Sequence, residues 1–553
     1  MARGELITSS RWSAWTSWKF SPRVVTFIFI ALVAFLVWTQ VYSTLGNGFS
    51  PDSYSYFMLG HNFLTGHGFT SNAINDLAAP AVFPSVSRSF PPLYPILVGL
   101  LDRLVGLGLL SGVYLNGLIV LLTAWAFAAL CRIISPERWM QLLLVLPIYI
   151  LCSHDYQDEL VAGRPIPLIA LFYFVLAIVF LKSIGNDRVR TGFCILSGLL
   201  LAAMTLARFD QMIFAFGFPF VAFVVYRISG LKTRESARAA VVVAASFALF
   251  YSPWAIRNYL QFGHLFSSNN TVTVLSTEAG ILHLFFWKAG GVAPTIFQAP
   301  GLWLSERLSY LLRDLLDVLK TSRGLLVLVP ALLGIYYKRL SRSELVFTTI
   351  TAAFILANFM TVSMTPLEDS RYFCLSILML FVLFFMLVTG PVLSQVPLAK
   401  KPVLLIAVVY ILFVGAPAVR DASSDVVANG LRPIPQSSIA RQVYFDRMHS
   451  DLLRAASQTN PAVTDPIVAI NYADVFTYYT GLRSLYPLRN ASTWDENMKA
   501  WAEKWKPDFI IAPQEWVTSH GLDKALVAKS VDDLEILDVR KLATSPILGA
   551  SDR

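Results

Sequence analysis

Long apolar segments alternate with short polar loops along most of this 553-residue chain. Eleven of them are long enough to cross about 30 Å of hydrocarbon as helices. They lie at 24–43, 112–131, 139–153, 166–181, 191–207, 211–226, 239–255, 324–337, 345–363, 372–392 and 402–418. The pattern predicts an all-α polytopic membrane protein with about 11 transmembrane helices.

A twelfth apolar stretch, 92–109, contains Asp102 and Arg103, and loop charge decides its placement. If it does not span, nearly all loop lysines and arginines lie on one side of the membrane. The other side then has only Arg164, Arg208 and Arg371 in its short loops. Because basic loops stay in the cytoplasm, we expect residues 1–23 to be a cytoplasmic tail and 92–109 to be a juxtamembrane helix on the outer side.

This topology divides the chain into a transmembrane domain, 24–419, and an extracytoplasmic segment, 420–553. Two outer loops, 44–111 and 256–323, belong to the first. Near 302–320 the second loop has one apolar face, which predicts a helix lying on the membrane or packed on the outer domain. The C-terminal segment alternates short apolar runs with helical patterns near 436–457 and 494–505, which predicts a small α/β domain.

The short apolar runs of the C-terminal segment lie at 467–470, 509–512 and 534–537. No glycine-rich phosphate loop accompanies them, so nucleotide binding is not expected.

Composition agrees with a membrane protein, because 56% of residues are hydrophobic and 14% are charged. Soluble proteins average about 25% charged residues. The net charge of +9 is explained by basic residues in the cytoplasmic loops, so no nucleic-acid partner is expected.

The four cysteines lie in or beside apolar runs, which argues against a disulfide framework. The first apolar run is typical of an uncleaved anchor.

The first candidate for chemistry is Asp52, which follows the first apolar segment and precedes Tyr54 and Tyr56. A carboxylate here lies near the interface, where lipid-borne and water-borne reactants meet. The alternative is structural, because Ser50-Pro51-Asp52 is also a good helix start.

Polar and charged residues recur at the outer ends of the predicted spans. They are Asp155, Asp158, Glu159, Arg208, Asp210, Arg257, Asn258, Arg371 and Tyr372. A charge at membrane depth costs at least about 2.5–3.5 kcal/mol, so such residues pair with each other or serve a site. Acids and arginines on the same side as the Asp52 loop suggest a cavity that handles an anion with arginines and a proton with a carboxylate.

The order of these motifs resembles that of the C-type (GT-C) glycosyltransferases, in particular the branch of protein O-mannosyltransferases and lipid A aminoarabinose transferases. The matching motifs are Pro51-Asp52-Ser53-Tyr54, Phe90-Pro91-Pro92-Leu93, the acidic loop 155–159, Pro253-Trp254-x-x-Arg257-Asn258 and Arg371-Tyr372. Many relatives have a lysine where this chain has Phe90, so Arg88 is a candidate substitute. The chain also lacks the Asp-Glu pair of that branch, since Ser53 follows Asp52.

The resemblance implies an inverting glycosyltransferase in which Asp52 is the general base. The arginines at 88, 208, 257 and 371 are candidate ligands of the lipid phosphate, and Asp155, Asp158 and Glu159 are candidate orienting acids. Tyr54, Tyr56, Asn258 and Tyr372 complete the predicted substrate-binding set.

The implied donor is a polyprenyl-phosphate-linked sugar, and the acceptor is a glycan, lipid or protein hydroxyl. The implied location is the bacterial inner membrane, with the active site facing the periplasm and membrane lipids around it. No cofactor is required, and a divalent metal is left open. The alternatives are a lipid-linked sugar transporter without transferase activity and a membrane scaffold.

Overall fold

The computed structural model describes residues 21–44, 49–74, 83–87, 90–136, 139–184, 189–266, 297–320, 340–364, 373–387, 436–461, 463–470, 473–485, 496–519 and 522–543. The helices before residue 390 are α1 Pro22–Thr44, α2 Pro51–Leu64, α3 Leu93–Val105, α4 Leu110–Ile134, α5 Trp139–Leu143, α6 Val145–Cys152, α7 His154–Val161, α8 Ile166–Ser183, α9 Thr191–Ala207, α10 Met212–Ile228, α11 Thr233–Phe262, α12 Pro300–Lys320, α13 Arg342–Met364 and α14 Cys374–Leu387. Those after residue 430 are α15 Gln436–Thr459, α16 Ala473–Thr480, α17 Glu496–Trp505, α18 Gln514–Ser519 and α19 Val539–Ala543. The strands are β1 Thr70–Ser71, β2 Ala73–Ile74, β3 Ser85–Val86, β4 Val468–Ile470, β5 Ser484–Leu485, β6 Phe509–Pro513, β7 Leu526–Lys529 and β8 Leu534–Asp538.

Within the described residues, 6 helices are long and apolar enough to cross a membrane. They comprise α1, α4, α8, α11, α13 and the run from Phe209 through α10. Shorter apolar helices at Trp139–Leu151, Thr191–Ala207 and Cys374–Leu383 coincide with three further predicted spans. The chain is therefore a mostly helical integral membrane protein, as predicted. The predicted spans at 324–337 and 402–418 lie outside the described residues, so the total of eleven stays a prediction.

The ambiguous stretch 92–109 forms α3, a helix of 13 residues that ends at Gly106 with a left-handed φ of 71°. At 1.5 Å per residue it is about 20 Å long, too short to cross about 30 Å of hydrocarbon. This length agrees with the predicted juxtamembrane helix.

Helices α2 and α3 cross with their backbones almost in contact. A Cβ atom on Gly60 would lie 2.0 Å from the carbonyl oxygen of Pro95, and one on Gly99 would lie 2.5 Å from the carbonyl carbon of Gly60. Beside this crossing, the ring of Tyr56 packs edge-on against Phe90 and Tyr94, at centroid distances of 4.9 and 5.2 Å. The crossing therefore fixes α2, which carries Asp52, on the juxtamembrane helix.

A six-stranded sheet has the order β2-β5-β4-β6-β8-β7. The strands β2, β5, β4 and β6 are parallel to one another. Strand β8 pairs antiparallel with both of its neighbours, β6 and β7. Alternate residues of β6 face two cores, with Ile510 packing in the cluster of Trp501 and Trp505 and Phe509 in that of Leu452. Strands β4, β6 and β8 lie where the apolar runs of the C-terminal segment predict them.

The edge strand β2 was not predicted, because it comes from the first outer loop rather than from the C-terminal segment. Its Ala73 lies opposite Ser484 of β5, and the Ser484 amide donates a hydrogen bond to the Asn72 carbonyl. The first outer loop and the C-terminal segment therefore share one sheet. The domain boundaries at 24, 419 and 420 stay predictions.

Helix α12 has an exposed apolar stripe. Leu304, Leu308, Leu312 and Leu316 repeat every four residues, and each is at least 50% exposed. By contrast, Arg307 of the same helix is buried. Helix α12 packs against the membrane helix α13. An exposed leucine stripe is unfavourable in water. The arrangement therefore favours the membrane-lying helix over one packed on the outer domain.

We expect single cysteines at His67 and Thr233 to be labelled from opposite sides of the membrane. Both residues are exposed, and they lie in the first outer loop and at the start of α11. The measurement is labelling of intact cells and of inverted vesicles with a membrane-impermeant maleimide. The parent protein, with its four native cysteines, is the background control. Of these, Cys131, Cys194 and Cys374 are buried. Labelling of both positions from one side would contradict the predicted topology.

Candidate active site

Asp52 lies in the first turn of α2, where Ser50 occupies the N-cap position and Pro51 follows it. Its side chain is 37% exposed. A carboxylate in the first turn interacts favourably with the helix dipole. Because Ser50 occupies the N-cap position, Asp52 is not the N-cap residue of α2. Its carboxylate contacts a partner outside the helix.

This partner is Arg164, in the turn between α7 and α8. Its Nε lies 3.5 Å from Asp52 Oδ2 and donates to Ser50 Oγ at 3.1 Å. Its Nη1 donates to Glu159 Oε1 at 2.9 Å. Arg164 thus connects the first outer loop to the acidic second loop.

Glu159 is 1% exposed, and a second arginine lies on its other side. Arg208 Nη1 is 3.9 Å from Glu159 Oε2, and Arg208 Nε is 2.5 Å from Asp210 Oδ2. Gln211 donates to the other Asp210 oxygen at 3.0 Å. Buried charges are stable only when they are paired. Here Glu159 and Asp210 each accept a hydrogen bond from an arginine, Arg164 and Arg208 respectively.

We call Asp52, Glu159, Arg164, Arg208 and Asp210 the charge network. Among the described residues it combines three carboxylates with two guanidinium groups. The side chains of Glu159 and Asp210 are only 1% and 5% exposed. Asp52 is therefore the carboxylate of the network that a reactant from outside reaches.

The end of α7, which carries Glu159, and the following turn, which carries Arg164, are fixed by a buried amide. Asn116 donates to the carbonyls of Glu159, Leu160 and Arg164 at 3.2, 3.2 and 2.9 Å. Its own Oδ1 accepts a hydrogen bond from Tyr94 of α3 at 3.0 Å. The juxtamembrane helix therefore supports both sides of the Asp52–Arg164 contact.

Tyr56 is buried within electrostatic range of Asp52, Glu159 and both arginines of the charge network. Burial raises the pKa of its hydroxyl, and the negative charge of Asp52 raises it further. Tyr56 therefore keeps its proton at physiological pH and is available as a hydrogen-bond donor.

Tyr54 occupies a different environment from Tyr56. It is fully buried, with its ring 5.1 Å from that of Tyr478 and its hydroxyl 3.3 Å from that of Tyr479. Tyr54 therefore faces the C-terminal segment.

The acidic second loop divides by exposure, although Asp155, Asp158 and Glu159 share the short helix α7. Glu159 is buried in the charge network, Asp155 is partly exposed and Asp158 is exposed. Glu159 contacts both arginines of the charge network.

Arg257 and Asn258 lie on α11, which continues beyond the predicted span end at 255 to Phe262. Arg257 donates to the Ser87 carbonyl at 2.9 Å and to Asn258 Oδ1 at 2.8 Å. Its guanidinium also lies 4.4 Å from the centre of the Trp254 ring. The end of α11 is thereby joined to the first outer loop. Arg88, Arg371 and Tyr372 fall outside the described residues.

Sequence reasoning noted Arg164 and Asp210 as outer-loop charges but did not include them in the site. The available signal was an opposite charge close by in the chain, Glu159 for Arg164 and Arg208 for Asp210. The described residues contain no group of three His, Cys, Asp or Glu side chains arranged to hold a metal ion. Glu159 and Asp210 instead take arginine partners.

No protein-family model and no curated protein matches this sequence. Several solved structures share its fold, and two of them illustrate the likeness. ArnT from Cupriavidus metallidurans, bound to undecaprenyl phosphate, aligns with a TM-score of 0.52 at 12% identity, over 94% of this chain and 99% of that chain. The oligosaccharyltransferase of Archaeoglobus fulgidus, in complex with Zn and sulfate, aligns with a TM-score of 0.55 at 13% identity, over 87% of this chain and 68% of that chain. Both are GT-C proteins, so the predicted GT-C fold is confirmed.

Proposed function

We propose that this protein is an inverting glycosyltransferase that moves a sugar from a polyprenyl-phosphate donor to a hydroxyl acceptor at the outer face of the membrane. The observation that carries the proposal is the position of Asp52. Its carboxylate is the exposed one of the charge network, with 37% of the side chain accessible, whereas those of Glu159 and Asp210 are buried. Its helix begins just after the first membrane-spanning helix.

In the proposed step, Asp52 accepts the proton of the acceptor hydroxyl while that oxygen attacks C1 of the donor sugar. The new C1–O bond forms as the bond from C1 to the phosphate oxygen breaks. The electron pair of the broken bond remains on the phosphate, so the products are the glycosylated acceptor and free polyprenyl phosphate. Attack from the face opposite the leaving phosphate inverts the configuration at C1. Positioned proton removal of this kind contributes about 10²–10⁴-fold to the rate.

The charge network is better suited to holding the base Asp52 than to binding the lipid phosphate. Both of its arginines already have carboxylate partners. An anionic leaving group needs positive charge from elsewhere. Among the described residues, Arg257 is the favoured candidate, because it lies at the outer end of α11 and contacts the first outer loop.

The GT-C neighbours support a lipid-linked donor. The ArnT structure contains undecaprenyl phosphate, and we extend that donor class to this chain as part of the proposal. The oligosaccharyltransferase structure contains Zn. In this chain the paired carboxylates of Glu159 and Asp210 are poor candidates for metal ligands, and no step of the proposed reaction uses one.

The direct test is transfer by the purified protein in liposomes, with polyprenyl-phosphate sugars as donors and sugar, lipid A-type or peptide hydroxyls as acceptors. We expect release of free polyprenyl phosphate and a product with inverted anomeric configuration, measured by chromatography and NMR. Movement of a donor across the bilayer without phosphate release would support a transporter instead. A product with retained configuration would contradict direct displacement.

We expect Arg257→Ala to raise the KM for the donor by about 10- to 100-fold. A hydrogen bond to a charged group contributes about 1.5–3 kcal/mol, and each 1.4 kcal/mol is tenfold. Arg257→Lys should recover only part of the loss, because lysine lacks the planar fork that binds two phosphate oxygens. The measurement is initial transfer rate against donor concentration.

Arg103→Ala is the matched control for this experiment. Like Arg257, Arg103 donates to a backbone carbonyl of the first outer loop, that of Leu64 at 2.8 Å. Loss of a loop contact alone should affect the two variants similarly. An unchanged donor KM in Arg257→Ala would exclude Arg257 as a phosphate ligand.

A further inference from the structure

One turn of α2 is held from two directions. Asp52 contacts Arg164, and Ser53 donates a hydrogen bond to the Ala162 carbonyl, so both bind the turn between α7 and α8. Tyr54 and Ser55 instead contact the C-terminal segment, through Tyr479 and Asp474. Four consecutive residues thus connect the membrane helices to the outer sheet.

The most specific of these contacts is the bond from Ser55 Oγ to Asp474 Oδ1, at 2.7 Å. Ser55 is 2% exposed and Asp474 is 3% exposed, and 419 positions separate them in the sequence. A buried carboxylate is costly unless hydrogen bonds satisfy it. Asp474 also lies in the first turn of α16, where the helix dipole favours its charge.

We infer that Asp474 is a positioning residue for Asp52, acting through Ser55; this inference rests on the proposed function. Ser55 is three residues after Asp52, so the two side chains are neighbours on one face of α2. The carboxylate of Asp474 fixes the rotation of that face, and with it the direction in which Asp52 points. The C-terminal segment therefore takes part in base catalysis without contacting the reactants.

The sheet gives this connection a rigid base. Helix α16 joins β4 to β5, and β5 pairs with β2 from the first outer loop. The rings of Tyr54, Phe57 and Tyr478 pack at the same junction, with Phe57 and Tyr478 centred 5.6 Å apart. A displacement of the sheet is consequently transmitted to the first outer loop at both Ser55 of α2 and Ala73 of β2.

The experiment combines Ser55→Ala and Asp474→Asn with Asp52→Asn. We expect each of the first two to lower kcat by about 10- to 100-fold with little change in the donor KM, because misplacement of a catalytic group by about 1 Å has an effect of this size. In the Asp52→Asn background, the same changes should lower the residual rate by less than about twofold, since residues that act as one unit are not additive.

Thr477→Val is the matched control, because it removes a buried hydroxyl from α16. Thr477 Oγ1 bonds to Leu482 and Ser484 within the C-terminal segment. It should lower thermal stability as much as Ser55→Ala does, without the loss in kcat. Hydrogen exchange of residues 51–64 gives a readout that does not depend on transfer: faster exchange is expected in Ser55→Ala and Asp474→Asn but not in Thr477→Val.

The outcomes separate the two proposals. A normal kcat in Ser55→Ala, beside an inactive Asp52→Asn, would overturn the positioning role and leave the proposed function intact. Equal losses in the presence and absence of the Asp52 carboxylate would also overturn it, because they would indicate a purely structural contact. Normal transfer by Asp52→Asn would remove the proposed base, and the positioning role would fall with it.

Discussion

Asp52→Asn is expected to yield a protein that inserts, folds and binds the donor normally but transfers sugar about 10²–10⁴-fold more slowly. Asparagine keeps the size of the side chain but cannot accept the proton of the acceptor. The measurement is the rate of polyprenyl phosphate release in liposomes, taken beside the thermal unfolding midpoint.

The test is clean as far as the contact with Arg164 is concerned, because that contact adds little to stability. The contact is 3.5 Å long and the Asp52 side chain is 37% exposed. Partly exposed ion pairs of this kind contribute only about 0–1 kcal/mol. A large loss of transfer at an unchanged unfolding midpoint would therefore reflect lost chemistry.

Asp155→Asn and Asp158→Asn are the comparisons for Asp52→Asn. An acid that orients a substrate hydroxyl should have a smaller effect than the base. Normal transfer by Asp52→Asn, with a large loss in one of the other two variants, would move the base to the second outer loop.

Local sequence patterns were sufficient for the parts of the fold that depend on local burial. Apolar length predicted the membrane helices, and loop charge predicted that the stretch around Asp102 does not span. The C-terminal end of α11 differed from the prediction, because the predicted span ends at Ala255 while the helix continues to Phe262. Its last turns mix apolar residues with Arg257 and Asn258, and the hydrogen bond from Arg257 to the Ser87 carbonyl holds them against the first outer loop.

The contacts that build the site are long-range, and no local pattern contains them. The strand at Ala73 has only two residues, and its partner Ser484 lies more than 400 positions away. Likewise, Ser55 is an ordinary helix residue in the sequence, and its significance depends on Asp474. The sequence located the charged groups but not their pairing, since pairing depends on how α7, α8 and α10 pack.

Glu159→Gln is expected to show the opposite behaviour to Asp52→Asn, with a large loss of stability. Glu159 is 1% exposed between Arg164 at 2.9 Å and Arg208 at 3.9 Å. Glutamine of the same size leaves two largely buried guanidinium groups without their shared charge. Removal of one partner from a buried ion pair typically costs about 3–5 kcal/mol.

Thermal unfolding in detergent should accordingly show a midpoint for Glu159→Gln well below that of the parent protein, with Asp158→Asn as the matched control. Asp158 neighbours Glu159 on α7 but is exposed, so its neutralisation should change the midpoint little. The double variant Glu159→Gln/Arg164→Gln should recover part of the loss, because it removes a buried positive charge together with its partner. An unchanged midpoint in Glu159→Gln would mean that the charge network does not stabilise the fold. Glu159 would then have to be considered beside Asp52 as a residue of the reaction itself.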